Sequence, residues 1–111
     1  MLTEAMEKKC LEIARYYGFD AQTNQLIEEC AELIQAINKY KRKYIGGQPL
    51  VRTVSARDQV VEEIADVEVM LCQIKYLLKI PENQVEEVER NKIERTISRI
   101  EESIKKGRMI W

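Results

Sequence analysis

The chain has 111 residues, of which 45% are hydrophobic and 33% are charged, and its net charge is -1. This length suits a single domain, and a net charge near zero gives no argument for binding a nucleic-acid polymer or an anionic membrane. The sequence contains no histidine, which excludes Ser-His and Cys-His nucleophiles and imidazole metal ligands. Any catalysis must therefore rest on carboxylates, amines, guanidinium groups or a bound metal.

The cysteines and the hydropathy pattern both favour a cytoplasmic protein. Cys10, Cys30 and Cys72 form no CxxC motif, and each falls on an apolar face of a predicted helix. They are interpreted as small buried hydrophobic residues in a reducing compartment. No apolar run approaches the ~18 residues of a membrane span, and no secretion signal opens the sequence.

Glycine, proline and capping residues divide the chain into four predicted helices. The predicted bounds are approximately 3–17, 21–44, 55–80 and 81–107. Gly18 ends the first helix, and Gly46-Gly47 stops the second. Ser55 resembles the start of a capping box, while Pro81 breaks the third helix and begins the fourth.

These elements predict an all-α fold. Short connections between the helices imply antiparallel neighbours, so we expect residues 1–111 to form one four-helix bundle-like domain without strands. The apolar stripe of the fourth helix consists of Ile93, Ile97, Ile100 and Ile104. Val85 and Val88 are out of phase with that stripe, which predicts a bend or break near residues 89–92.

The second and third predicted helices contain a repeat. The segment NQLIEECAELIQAI (24–37) aligns with DQVVEEIADVEVML (58–71). Both segments begin with a polar residue and Gln, followed by two branched apolar residues, Glu-Glu, an apolar residue, Ala and an acid. Two copies are too few for a solenoid, so we expect two similar helices packed around a shared feature.

Each repeat carries an acidic stripe beside its apolar face. Helical projection gives the stripes Gln25, Glu29, Glu32 and Ala36, and Gln59, Glu63, Asp66 and Met70. None of the four acids has a lysine or arginine one helical turn further on, whereas Glu102 in the last helix precedes Lys106. Glu28 and Glu62 point further toward solvent.

If the two helices pack side by side, the four carboxylates converge at the rim of the core. Like charges in a partly dry site oppose folding, and a divalent cation removes that conflict. All-oxygen ligation suits Mg²⁺ or Mn²⁺, and Mg²⁺ keeps positions open for water and substrate phosphates. This favours hydrolysis of a phosphoanhydride. Two alternatives stay open: packing holds the acid pairs apart, or cations elsewhere in the fold neutralise them.

The two acidic motifs carry a resemblance to a known family. EECAE (28–32) and EIAD (63–66) resemble the Glu-Glu-x-x-Glu and Glu-x-x-Asp signature of the MazG-like all-α nucleotide pyrophosphohydrolases. Relatives of that family include dimeric dUTPases and phosphoribosyl-ATP pyrophosphohydrolases. The resemblance covers most of the chain, with the motifs on two successive long helices.

The resemblance implies a reaction and roles for particular residues. The metal ligands would be Glu29, Glu32, Glu63 and Asp66. The activity would be Mg²⁺-dependent cleavage of a nucleoside triphosphate into a monophosphate and pyrophosphate. The catalytic proton acceptor would be one of the ligands or an adjacent carboxylate, Glu28 or Glu62. Family members are typically dimers or tetramers, so we expect a homodimer or homotetramer.

Further polar residues are weaker candidates for substrate binding. Lys92, Arg95 and Arg99 lie on the polar side of the fourth helix, where the resemblance implies phosphate contacts; a solvated face paired with glutamates is the alternative. Gln25 flanks the acids and is also a candidate. The basic segment NKYKRKY (38–44) is better explained as a complement to the helix dipole. Trp111 is expected to make a docking or dimer contact.

A second class of function also fits the sequence. The acidic stripes of a helical interaction module would form a docking surface and hydrolyse nothing. The missing cation partners on the second and third helices favour the enzyme over this alternative.

Overall fold

The structure is a computed structural model that describes residues 2–42, 44–45, 48–49 and 53–107, with the side chains of 44, 45, 48, 49, 53 and 54 excepted. Its elements are α1 (Glu4–Lys41), β1 (Tyr44–Ile45), β2 (Gln48–Pro49), α2 (Thr53–Leu77) and α3 (Glu82–Lys105). The chain forms two compact units, Met1–Lys79 and Ile80–Trp111. The prediction of an all-α fold is confirmed, although a two-residue β-ladder was not expected.

Gly18 interrupts α1, as the sequence predicted. Its φ of 86° and ψ of 176° are non-helical and lie in a region that is accessible essentially to glycine alone. The helix on the N-terminal side starts after Thr3, whose side-chain oxygen accepts a hydrogen bond from the backbone N–H of Met6 at 3.2 Å. α1 therefore consists of two helical segments joined at one glycine.

The chain turns sharply at Gly18. Burial and the adjacent Cys10 thiol raise the pKa of Cys72, and Gln22 donates a 2.6 Å hydrogen bond to Gln73. In one straight helix, residues 10 and 22 would be about 18 Å apart along the axis, too far to contact consecutive residues of α2. The two segments of α1 therefore pack against the same part of α2.

After Gly18, α1 runs antiparallel to α2. Gln22 pairs with Gln73, Glu29 interacts with Asp66, and Glu32 and Glu63 belong to the same cluster of carboxylates. Each step forward along α1 thus corresponds to an equal step backward along α2. This register brings the two repeats against each other.

The packed face differs from the predicted one. Ala36 and Met70, which belong to the two acidic stripes, are 3% and 6% exposed. Ile34 and Leu71, large apolar residues outside these stripes, are 61% and 43% exposed. The contact between the helices therefore includes part of each acidic stripe, with Glu29 and Glu63 half-buried and Glu32 and Asp66 exposed at its edge. The expectation of three buried cysteines also fails, since Cys30 is exposed.

The connection between α1 and α2 contains a short antiparallel ladder, with Tyr44 paired to Pro49 and Ile45 to Gln48. The second predicted helix therefore ends at Lys41, before residue 44, and the third starts at Thr53, before Ser55. The third also ends early, at Leu77 instead of residue 80. The predicted stop at Gly46-Gly47 falls outside the described residues.

α3 runs without interruption from Glu82 to Lys105, and Pro81 is its N-cap. The break predicted near residues 89–92 is therefore wrong: the shift of apolar phase does not interrupt the helix. The Glu102 carboxylate accepts a 2.8 Å salt bridge from Lys106, as its spacing predicted. Trp111 lies outside the described residues. No helix within the described part of the chain is long and apolar enough to cross a membrane.

Candidate functional site

The four acids of the two stripes meet in one cluster. One carboxylate oxygen from each of Glu29, Glu32, Glu63 and Asp66 lies within 4.8 Å of the others. Glu29 and Glu63 are half-buried, whereas Glu32 and Asp66 are exposed. The cluster therefore has an inner side between the helices and an outer side that solvent can reach.

The repeat and the antiparallel register together explain this convergence. Glu29 and Glu63 occupy equivalent places in the two repeats, as do Glu32 and Asp66. Because the helices run in opposite directions, Glu29 faces Asp66 and Glu32 faces Glu63. The two helices are related by an approximate two-fold axis through the centre of the cluster. One local sequence pattern therefore supplies two carboxylates from each helix.

Two oxygen atoms in the cluster are buried without a hydrogen-bond partner, Glu29 Oε2 and Glu63 Oε2. The other Glu29 oxygen, Oε1, accepts a 2.7 Å hydrogen bond from Gln25 Nε2. Among the described residues, no lysine or arginine forms a salt bridge with any of the four acids. An unpaired buried carboxylate oxygen is costly, and no cation in the described part of the chain offsets that cost on the inner side of the cluster.

The pKa of Asp66 also shows that negative charge is unfavourable in this cluster. Desolvation raises the pKa of Asp66 above its usual 3.8, and the negative charge of Glu29 and a hydrogen bond with Glu29 raise it further. Each of these effects favours the protonated carboxyl group over the carboxylate. A bound cation would have the opposite effect, because it favours the ionised form.

The residues present fit a hard divalent cation. The donors are all carboxylate oxygens, which suit Mg²⁺ and Mn²⁺ and do not suit softer metals. The orphaned oxygens of Glu29 and Glu63 supply free ligand positions on the inner side. The alternative in which packing separates the acid pairs is therefore wrong.

The other predicted site residues lie in different environments. Glu28 and Glu62 are exposed, and neither belongs to the four-carboxylate cluster. Gln25 is half-buried and contacts the cluster through Glu29. The three basic candidates of α3 are all exposed and lie in the second compact unit: Lys92, Arg95 and Arg99.

A groove adjoins one end of the cluster, with a volume of about 710 Å³. Glu32 and Glu63 line it on the acidic side, and Lys39 and Arg42 line it on the basic side. The sequence interpretation assigned these cations to the helix dipole and missed their position. The signal was present, because Lys39 continues the three- and four-residue spacing of the stripe through Ala36.

The comparison with protein families agrees with this geometry. The family model described as the MazG nucleotide pyrophosphohydrolase domain matches residues 18–103, more than half of the chain. The chain therefore belongs to the MazG nucleotide pyrophosphohydrolase family. No curated protein and no solved structure gives a significant match to it.

Proposed function

We propose that the protein hydrolyses a nucleoside triphosphate to a nucleoside monophosphate and pyrophosphate, with Mg²⁺ as the cofactor and Mn²⁺ as a possible substitute. The observation that carries this proposal is the pair of buried carboxylate oxygens without partners in a four-acid cluster. Membership of the family supports the substrate class. We expect the reaction to serve nucleotide-pool housekeeping in the cytoplasm.

The inner acids would hold the cation. Glu29 Oε2 and Glu63 Oε2 are the free oxygens, and the hydrogen bond from Gln25 to Glu29 Oε1 fixes the orientation in which Oε2 remains available. When bound, the cation supplies positive charge to phosphate oxygens and lowers the pKa of nearby water. Glu32 and Asp66, on the exposed side, complete the ligand set where substrate enters.

The hydrolysis itself consists of attack by water, cleavage of one P–O bond and transfer of one proton. Water attacks the α-phosphorus. The bond between the α-phosphorus and the bridging oxygen breaks, and pyrophosphate leaves with that oxygen. The attacking water must lose a proton, and we propose Glu28 or Glu62 as the acceptor. Both are solvent-exposed carboxylates next to a proposed ligand in the sequence. Lys92, Arg95, Arg99 and Gln25 stay candidates for substrate binding.

We also propose a homodimer or homotetramer. Ile27, Ile34 and Val61 are 66%, 61% and 51% exposed, and the helix register places Val61 across from Ile34. Large apolar side chains grouped on one face of a packed helix pair favour association with a second copy.

The metal is tested by thermal unfolding with and without Mg²⁺. Binding to the folded state alone raises its stability, by about 2.7 kcal/mol at a hundred times Kd. We expect Mg²⁺ to raise the Tm of the wild type and to leave the Tm of Glu32→Gln and of Asp66→Asn unchanged. Glu68→Gln, an exposed acid of α2 outside the cluster, is the matched control and should respond like the wild type.

The activity is tested by pyrophosphate release across a panel of nucleoside triphosphates. The wild type and Glu68→Gln should release pyrophosphate, whereas the two ligand variants should lose more than about a hundredfold in rate, because the cation contributes several kcal/mol. No release from any nucleotide, together with equal Mg²⁺ shifts in all variants, would favour the interaction module with an acidic docking surface.

A further inference from the structure

The groove beside the acid cluster contains two cations for which the proposed ligand set has no role. Lys39 and Arg42 are exposed, and among the described residues neither forms a salt bridge. They lie at the end of α1, in the same compact unit as the four acids, and line one groove with Glu32 and Glu63. The groove therefore has an acidic end and a basic end.

The geometry of α1 orients the Lys39 side chain toward Glu32 of the acid cluster. Lys39 lies seven residues after Glu32, which places their Cα atoms about 10 Å apart along the axis and on the same side of the helix. Side chains in an α-helix lean toward its N-terminus, so the Lys39 side chain extends back toward Glu32. Arg42 adds a second cation roughly one turn further on.

The two ends of the acid cluster differ because the repeat is broken there. At one end, Gln22 and Gln73 are buried and hydrogen-bonded to each other at 2.6 Å, which closes the space between the helices. Their repeat equivalents at the other end are Ala56 and Lys39. Ala56 is small and buried, and Lys39 is exposed, so this end stays open and positively charged.

A triphosphate needs such an asymmetric site. Four carboxylates repel its negative charge, and a cation held among them neutralises only the phosphates directly above the cluster. The phosphates beyond it require further positive groups, for which a lysine and an arginine are suited. Since the groove supplies those groups at one end only, it also distinguishes the two directions in which the chain of phosphates can lie.

We propose that Lys39 and Arg42 bind the β- and γ-phosphates, which depart as pyrophosphate, and so fix the direction of the substrate across the acids. This rests on the proposed function. It assigns the pyrophosphate contacts to the end of α1 and not to the basic residues of α3. The contact with the leaving group balances the charge that develops on it as the P–O bond breaks.

The test is a calorimetric titration with inorganic pyrophosphate in Mg²⁺, and separately with the monophosphate product of the best substrate. Loss of a hydrogen bond to a charged group weakens binding by about ten- to a hundredfold. Lys39→Gln and Arg42→Gln should each weaken pyrophosphate binding by that factor and leave monophosphate binding unchanged. Lys41→Gln removes the same charge from the same helix end without lining the groove, so it should bind both ligands like the wild type.

The two proposals fail in different ways. If the wild type releases no pyrophosphate from any nucleotide, the proposed function fails. If the wild type is active, but pyrophosphate binds equally to wild type, Lys39→Gln and Arg42→Gln, the assignment of the groove fails. It is also overturned if Lys92→Gln or Arg95→Gln weakens pyrophosphate binding and the α1 variants do not, or if Lys41→Gln weakens it as strongly as Lys39→Gln.

Discussion

At the scale of single residues, the site is defined by atoms without partners. Glu29 and Glu63 each bury one carboxylate oxygen that has no hydrogen bond. The other Glu29 oxygen accepts a hydrogen bond from Gln25. A protein that only needed these helices to pack would gain stability from apolar residues at these positions. The unpaired carboxylate oxygens therefore support the proposed cation site.

The raised pKa of Asp66 predicts a pH dependence of stability in chelated protein. A carboxyl group whose pKa is higher in the folded than in the unfolded state stabilises the fold fully below the unfolded value of 3.8, and that contribution is lost as pH rises through the folded pKa. The free energy of unfolding of the wild type, relative to Asp66→Asn, should therefore fall as pH rises above 3.8.

Denaturant unfolding of both proteins in chelator, at a series of pH values, measures this difference. The asparagine variant is the reference because it keeps every other carboxyl group of the chain. A wild type that gains stability relative to Asp66→Asn as pH rises would contradict the electrostatic description of the cluster.

At the scale of elements, a buried polar pair fixes how α1 meets α2. Gln22 and Gln73 are 6% and 1% exposed, and their hydrogen bond joins residues 51 positions apart in the chain. Gln73 Nε2 also contacts the Met70 sulfur at 3.7 Å. A buried amide pair is satisfied in one register only, so it selects the alignment that brings the acids together.

A double-mutant cycle tests this role. Gln22→Met and Gln73→Met should each lower the free energy of unfolding by about 1–3 kcal/mol, because each leaves one buried amide unsatisfied. The double variant replaces both amides by apolar groups of similar shape and should recover most of that loss. Gln84→Met, at an exposed position of α3, should change stability little. Additive losses in the double variant would contradict the pairing.

At the scale of the whole molecule, the single chain leaves much apolar surface exposed. Ile27 and Val61 occupy equivalent places in the repeat and are both more than half exposed, as is Ile34. The helix pair packs along part of each acidic stripe, and these apolar side chains stay outside that contact. They are the surface on which the proposed association rests.

Association through this face is tested with Ile34→Lys. A charge on an apolar interface is costly to desolvate, so the variant should form smaller particles in light scattering coupled to size-exclusion chromatography. The Tm of the wild type should rise with protein concentration and that of Ile34→Lys should not. Glu12→Lys, on the same helix and outside the apolar group, should behave like the wild type. A wild type that is monomeric at every concentration would contradict the proposal.

The helix breaks at glycine and proline and the identity of the acids could be predicted from the sequence. Helix breaks at Gly18 and Pro81 follow from local backbone chemistry, and the repeated stripe of Glu29, Glu32, Glu63 and Asp66 follows from helical periodicity. Such features depend on neighbours within one or two turns, and these are visible in the sequence. The family resemblance depends on the same local motifs.

Which helix faces meet, and which residues lie beside the acids, depend on tertiary contacts. Periodicity favoured the most apolar faces for packing, but the antiparallel register and the Gln22–Gln73 pair placed the acidic stripes in the contact. Lys39 and Arg42 had a local explanation in the helix dipole, and the groove that they line with Glu32 and Glu63 became visible only when α1 and α2 were packed together. Contacts between residues far apart in the chain depend on the relative orientation of two helices, which no single-helix pattern encodes.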